Sequence, residues 1–288
     1  MSENEVKLVK AFTKDPAQGN PAGVVHDADD LSDNQMQEIA KTLGFSESAF
    51  VLKSNKADFR VRFFAIKQEV DFCGHATVAT FHSLMERKAI DIGNKGSVTV
   101  TQETKAGILP VTCFSDGKIM MTQGRPEFGE IENNRLLIAN LLGIKEEDLG
   151  ETPIQTVSTV IPKIIISVRS LEILQKVKPD LTGISKYCQE HSSKGFYLFT
   201  TETLDNNSDF ATRYFNPLVG INEDPATGVA AGPLACYADK YLFNGSKKQF
   251  VVEQGFDMNA SSKIYVDITS DVMVGGYAVS YDARSINI

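Results

Sequence analysis

Cysteine is scarce in this 288-residue chain. Its four residues, Cys73, Cys113, Cys188 and Cys236, include no Cys-x-x-Cys pair and no cysteine and histidine cluster at zinc-finger spacing. The spacing therefore offers neither a disulfide framework nor a metal framework, and reduced thiols in the cytoplasm are expected. Long apolar runs are missing too: residues 161–168 are the best stretch, and Pro162 and Lys163 interrupt it well below the ~18 residues of a membrane span. Residues 1–9 carry Glu3, Glu5 and Lys7 around no apolar centre, so no leader peptide is expected. There is no basic excess, since 29 Lys and Arg against 37 Asp and Glu leave a net charge of −8, and the basic residues are scattered. That balance argues against a nucleic-acid footprint. Gly-x-Gly-x-x-Gly, a phosphate-binding loop and Gly-x-Ser-x-Gly are all absent, which removes the sequence grounds for a nucleotide fold or a serine hydrolase.

What remains is a chain long enough to bury a core unaided and to form about two domains at roughly 150 residues each. Alternating apolar residues predict strands over 6–13, 22–25, 45–51, 60–66, 98–101, 108–114 and 118–122. A capping box, Ser32 with Gln35, opens a helix whose buried face is Met36, Ile39, Ala40 and Leu43 and whose stop is Gly44. After Cys73-Gly74-His75-Ala76-Thr77 an amphipathic helix is expected, with Val78, Phe81, Leu84 and Met85 inward. Residues 123–133 read as a linker. Beyond it, helices are predicted over 135–142 and 171–177, and strands over 163–168, 195–200, 210–215, 249–253, 262–268 and 272–279. Strands dominate, without the regular alternation of a doubly wound sheet.

An internal repeat is visible. Arg62-Phe63-Phe64-Ala65 leads to Gly74-His75-Ala76-Thr77, and Arg213-Tyr214-Phe215-Asn216 leads to Asp224-Pro225-Ala226-Thr227-Gly228, with Arg-to-Thr spacings of 15 and 14 residues. Both units run strand, loop, small-residue turn, helix, so the chain reads as two related halves. Two helix N-termini meeting at a cleft present backbone amides and positive dipole ends to a small carboxylate. Gly74, Thr77, Thr227 and Gly228 are the candidate donors; the plainer alternative is an ordinary pair of capped helices.

Glu47 is the candidate for proton transfer, because a carboxyl flanked by Phe45, Ala49 and Phe50 is partly desolvated if it points inward, which raises its pKa toward neutrality. The alternative is a strand glutamate facing water. His75, inside the turn, is a candidate hydrogen-bonding or acid partner, whereas His26, His82 and His191 read as surface or packing residues. Asp224 suits the second turn electrostatically. Cys73, directly before Gly74, either gains thiolate character there or is a buried structural thiol.

At these residues the sequence resembles the PhzF-like isomerases of phenazine biosynthesis, relatives of diaminopimelate epimerase and proline racemase. The matching stretches are Gly19-Asn20-Pro21-Ala22, Ser46-Glu47-Ser48-Ala49-Phe50, Arg62-Phe63-Phe64, Cys73-Gly74-His75-Ala76-Thr77, Arg213-Tyr214-Phe215-Asn216-Pro217, Glu223-Asp224-Pro225-Ala226-Thr227-Gly228 and Val274-Gly275-Gly276. The resemblance implies an α+β fold of two pseudo-symmetric domains, each a curved mixed sheet around a central helix: 1–122, completed by 277–288, and 123–276. It implies an active site between them, no metal or organic cofactor, and a homodimer. It further implies a proton shuttle at Glu47, assistance from His75 and Asp224, and substrate binding by Asn20, Gly74, Ala76, Thr77, Thr227 and Gly228. Two departures stand out. The racemase relatives use two opposed cysteines, and only Cys73 has a counterpart here. A serine usually follows the second Thr-Gly, where this chain has Val229, which argues against the phenazine-precursor substrate. Pro233 falls inside the expected second helix and is expected to kink it. The expectation is a cofactor-independent isomerase acting on a small carboxylate-bearing substrate, with a non-catalytic binding protein or a Glu47/Cys73 epimerase as alternatives.

Overall fold

The computed structural model describes residues 3–288; Met1 and Ser2, which open the segment expected to carry no leader, lie outside the described residues. The chain divides into two compact units, Met1–Thr122 with Gly275–Ile288, and Gln123–Val274. Strands outnumber helices in both, giving a mixed α+β fold.

The first unit contains β1 (Glu3–Ala11), β2 (Asn20–Val25), α1 (Asp33–Leu43), β3 (Glu47–Leu52), β4 (Phe59–Ala65), β5 (Glu69–Val70), α2 (Gly74–Glu86), β6 (Ser97–Thr104), β7 (Gly107–Phe114) and β8 (Ile119–Thr122). Strand β2 runs parallel to β3, β3 antiparallel to β4, β4 parallel to β6 and β6 antiparallel to β7. Because side chains alternate across a strand, the sheet has two distinct faces. Val6, Leu8, Val25, Phe50 and Phe64 pack with Met36, Ile39, Ala40 and Leu43 of α1 on one. The capping box of Ser32 and Gln35 and the left-handed Gly44 bound α1 as predicted. The opposite face carries α2.

The second unit contains β9 (Glu127–Glu132), α3 (Arg135–Leu142), β10 (Ile154–Ser158), β11 (Lys163–Ser167), α4 (Leu171–Lys176), α5 (Leu181–Glu190), β12 (Phe196–Thr200), β13 (Phe210–Phe215), α6 (Gly228–Tyr241), β14 (Gln249–Gln254) and β15 (Ser262–Asp267). The pairing pattern of the first unit recurs: β11 parallel to β12, β12 antiparallel to β13, β13 parallel to β14, β14 antiparallel to β15. Residues of α3, α4 and α5 form one core cluster with Leu198, Ala211 and Phe215. The repeat read from two short motifs is thus a repeat of topology. The chain returns through β16 (Met273–Gly276) to β17 (Ala278–Asn287), which pairs antiparallel with β1.

Three expectations need correction. Residues 123–133 are not simply a linker, because β9 forms there and pairs with β10. It is an exposed, charged edge strand held by its neighbour's backbone and by Gln155 Nε2, which donates to the Gly129 carbonyl at 2.6 Å, so it shows no apolar alternation. The strand expected over 272–279 is two strands separated at Tyr277. Helix α2 is not amphipathic: His75 through Phe81, with Ser83 and Leu84, are all buried, as befits a helix enclosed by a sheet, whereas Met85 is only half-buried. Helix α6 continues through Pro233 to Tyr241. Helix α5 follows Pro179 unanticipated, although Leu181, Ile184, Tyr187 and Cys188 give it an inward face.

Candidate active site

Period-two alternation decides where Glu47 points. Phe50 belongs to the α1-side core, and three residues away in the same strand Glu47 lies on the other face, toward α2. Its side chain keeps 20% of its exposure, and Oε2 is 3.5 Å from His75 Nε2. His75 is buried in the first turn of α2. Its Nδ1 lies 3.4 Å from the Cys73 sulfur, and its Nε2 lies 3.4 Å from the Ser46 hydroxyl. Glu47, Cys73 and His75 thus converge, with one ligand-type atom from each inside a 4.8 Å span. The order of the chain hides this cluster, because 25 residues and two further strands separate Glu47 from Cys73.

The turn at α2 is built to leave amides facing outward from the helix end. Cys73 is the N-cap and makes no side-chain cap hydrogen bond, so Gly74, His75 and Ala76 occupy the first three helical positions, which have no carbonyl one turn back. Thr77 differs from the expectation: its amide donates to the Cys73 carbonyl at 3.0 Å and its hydroxyl to the same carbonyl at 2.8 Å. Both of its donors are engaged within the helix. Asn20 is buried at the start of β2, beyond the turn that Gly19 closes with φ +81°; a Cβ there would meet the Ala11 carbonyl oxygen at 2.6 Å.

In the second unit Asp224 and Thr227 form one small network. The Thr227 hydroxyl donates to Asp224 Oδ2 at 2.5 Å. Gln254, absent from the sequence-based candidates, holds both residues. Its Nε2 donates to the Asp224 carbonyl at 2.6 Å and to Thr227 Oγ1 at 2.9 Å, while its Oε1 accepts from the Thr227 amide at 3.2 Å and from the Tyr197 hydroxyl at 3.1 Å. The Thr227 amide is therefore engaged within the protein, a second correction to the donor set, and Gly228 opens α6 as its first helical residue.

Lys163 also escaped the sequence reading. It is 2% exposed, and its Nζ donates to the Lys194 carbonyl at 2.9 Å and to the Tyr214 hydroxyl at 2.7 Å. Burial pulls its pKa down to about 7, against the opposing field of Asp224. The remaining histidines act as read from sequence: His26 Nε2 lies 2.8 Å from the Ser83 hydroxyl and burial lowers its pKa to about 4, and His191 stacks on Tyr187. Among the described residues no helix is long and apolar enough to cross a membrane.

Comparison with known proteins agrees with this architecture. The model of the PhzC-PhzF family, phenazine biosynthesis-like protein, matches residues 9–284. The uncharacterized isomerase YfhB of Bacillus subtilis is 37% identical over all of both chains. The trans-2,3-dihydro-3-hydroxyanthranilate isomerase of Pseudomonas aeruginosa is 29% identical, over 90% of this chain and 88% of that protein. The crystal structure of a PhzF-family phenazine biosynthesis protein of Bacillus anthracis superposes with a TM-score of 0.91 at 32% identity, covering all of both chains. Relatives named as isomerases support an isomerase function.

Proposed function

The chain belongs to the phenazine biosynthesis-like family, and from that premise we propose that it is a cofactor-independent isomerase that moves a proton between carbons of a small carboxylate-bearing substrate. The observation that carries this reading is the 3.5 Å contact between Glu47 and His75 at the start of α2. Glu47 takes a proton from an activated carbon, and the electron pair of the broken C–H bond delocalises toward the substrate carboxylate. The outward amides of Gly74, His75 and Ala76 and the helix dipole stabilise that charge. Glu47 then returns the proton at a second carbon, with His75 orienting its carboxylate. The reading assigns Asn20, Asp224 and Gly228 a share in holding the substrate.

The reaction class, not the substrate, is carried over from the trans-2,3-dihydro-3-hydroxyanthranilate isomerase, because Val229 offers no hydroxyl beside Gly228. A Glu47/Cys73 epimerase fits less well. Two groups working opposite faces of one carbon stand about 6–7 Å apart, each near 3–3.5 Å from it, whereas these two lie within 4.8 Å. That closeness supports a single acid/base residue acting from one side.

Solvent-deuterium incorporation into a panel of small carboxylic acids, amino acids and cyclohexadienes tests the proposal. Glu47→Gln is expected to lower exchange by about 10²- to 10⁴-fold while the same compound still raises the melting temperature. Unchanged exchange removes Glu47 from the mechanism. Thermal stabilisation without any exchange in the wild type marks a binding protein instead.

A further inference from the structure

The Glu47, Cys73 and His75 cluster has a second chemical capacity. Carboxylate, thiolate and imidazole are all ligands of Zn²⁺, and three protein ligands with one open position is the arrangement of a reactive zinc site. Bond lengths near 2.3 Å to sulfur and about 2.0–2.1 Å to nitrogen and oxygen put tetrahedral ligand atoms about 3.3–3.6 Å apart. Here His75 Nε2 is 3.5 Å from Glu47 Oε2 and 3.9 Å from Cys73 Sγ, and all three donors fit within 4.8 Å. Closing a 4.8 Å span to the tetrahedral spacing takes an approach of about 1.2–1.5 Å, shared between two side chains. Cys73 and His75 are each 8% exposed, so their positions are set by packing, while Glu47 retains a path to solvent. One thiolate and one carboxylate neutralise the ion, and the N-terminus of α2 favours the thiolate. The other three thiols are poorer ligands: burial raises the pKa of Cys236 to about 11 and that of Cys188 and Cys113 upward as well, and among the described residues no second triad of such donors forms.

We propose that Glu47, Cys73 and His75 together bind one thiophilic divalent cation, Zn²⁺ by preference, with the fourth position open to water. Zn²⁺ binding uses the thiolate form of Cys73. Its consequence for turnover, loss of activity because the ion occupies the Glu47 lone pair, rests on the isomerase reading; the binding itself does not.

The test is titration of the full chain with CoCl₂ at pH 7.5, followed by competition with ZnCl₂ and by calorimetry with ZnCl₂ alone. One equivalent of Co²⁺ should produce a near-ultraviolet thiolate charge-transfer band that Zn²⁺ abolishes. Cys73→Ser and Cys73→Ala should each lose the band, and His75→Gln should weaken Zn²⁺ binding at least about tenfold. Cys236→Ser should keep both. No band in the wild type, or a band that persists in both Cys73 variants, overturns the proposal. One bound Zn²⁺ with undiminished deuterium exchange leaves the site standing and counts against Glu47 as the acid/base group.

Discussion

Arg213 grips Glu223 with two parallel hydrogen bonds, Nε to Oε1 and Nη2 to Oε2, both 2.8 Å long. Arg62 grips Glu69 in the same fork at 2.8 and 3.0 Å. Each guanidinium also lies over the phenylalanine two residues on, Phe215 at 4.9 Å and Phe64 at 5.1 Å. In the first unit the fork ties β4 to the short strand β5 that precedes α2, and in the second it ties β13 to the loop that leads into α6. Arg213 does more, since its Nη1 also donates to the carbonyls of Leu174 and Val177 at 3.0 and 3.1 Å, whereas Nη1 of Arg62 reaches the exposed Asp33. Lysine cannot reproduce a planar fork. Arg213→Lys should therefore cost about 3 kcal/mol, the range for breaking a buried pair, and Arg62→Lys about 1 kcal/mol, read from urea midpoints.

Two glycines separate binding from folding. A Cβ on Gly74 would meet nothing closer than Met121 Cε at 3.8 Å, so Gly74→Ala should leave the melting temperature unchanged or raise stability by about 0.4–1 kcal/mol. Deuterium exchange should still fall at least tenfold if substrate approaches that backbone. On Gly275 a Cβ would sit 1.8 Å from the Ile119 carbonyl oxygen. Gly275→Ala should yield insoluble or unfolded protein.

Gln254 is 1% exposed and uses its amide on both sides of the second turn. Gln254→Leu leaves the Thr227 amide and the Asp224 carbonyl without that partner, at about 1–3 kcal/mol each. A drop of several degrees in melting temperature is expected, together with weaker thermal stabilisation by whichever panel compound the wild type turns over. Full retention of both would show that the turn is held by its backbone alone.

Lys163 sets a pH dependence of the same sign as a stabilised carboxylate, displaced to the neutral and alkaline range. Its pKa falls from an ordinary 10.5 to about 7 in the fold, so between those values the unfolded chain binds more protons and stability rises with pH. The groups facing it are Asp224, Cys188, Lys194 and Tyr214. Stability should climb from pH 7 toward pH 9 by at most about 1.4 kcal/mol per unit. Lys163→Met should flatten that slope in denaturation midpoints taken across this range.

The register also distinguishes the two similar units at one position. Ser48 pairs with Phe64 and Phe196 with Phe215, each phenylalanine two residues past its arginine. The residue before Ser48 is Glu47, and the residue before Phe196 is Gly195, whose φ is +102° and whose Cβ would lie 2.5 Å from the Phe215 carbonyl oxygen. The second unit has no room for an acid at the equivalent position.

Local rules written in the sequence determined α1 with its caps, the strands about Phe50 and Phe64, and the Arg-to-Thr repeat, because capping and alternation depend only on neighbours a few residues away. Edge strand β9 and the hold of Gln254 on Asp224 and Thr227 depend on partners 26 to 30 residues off, and no periodicity encodes such a partner. Residue types alone nominated Glu47 and His75 but left Glu47 free to face water. Only the packing of β3 against α2 turned that carboxylate inward and brought the Cys73 sulfur beside it, since which face of a strand is covered is settled by the whole sheet.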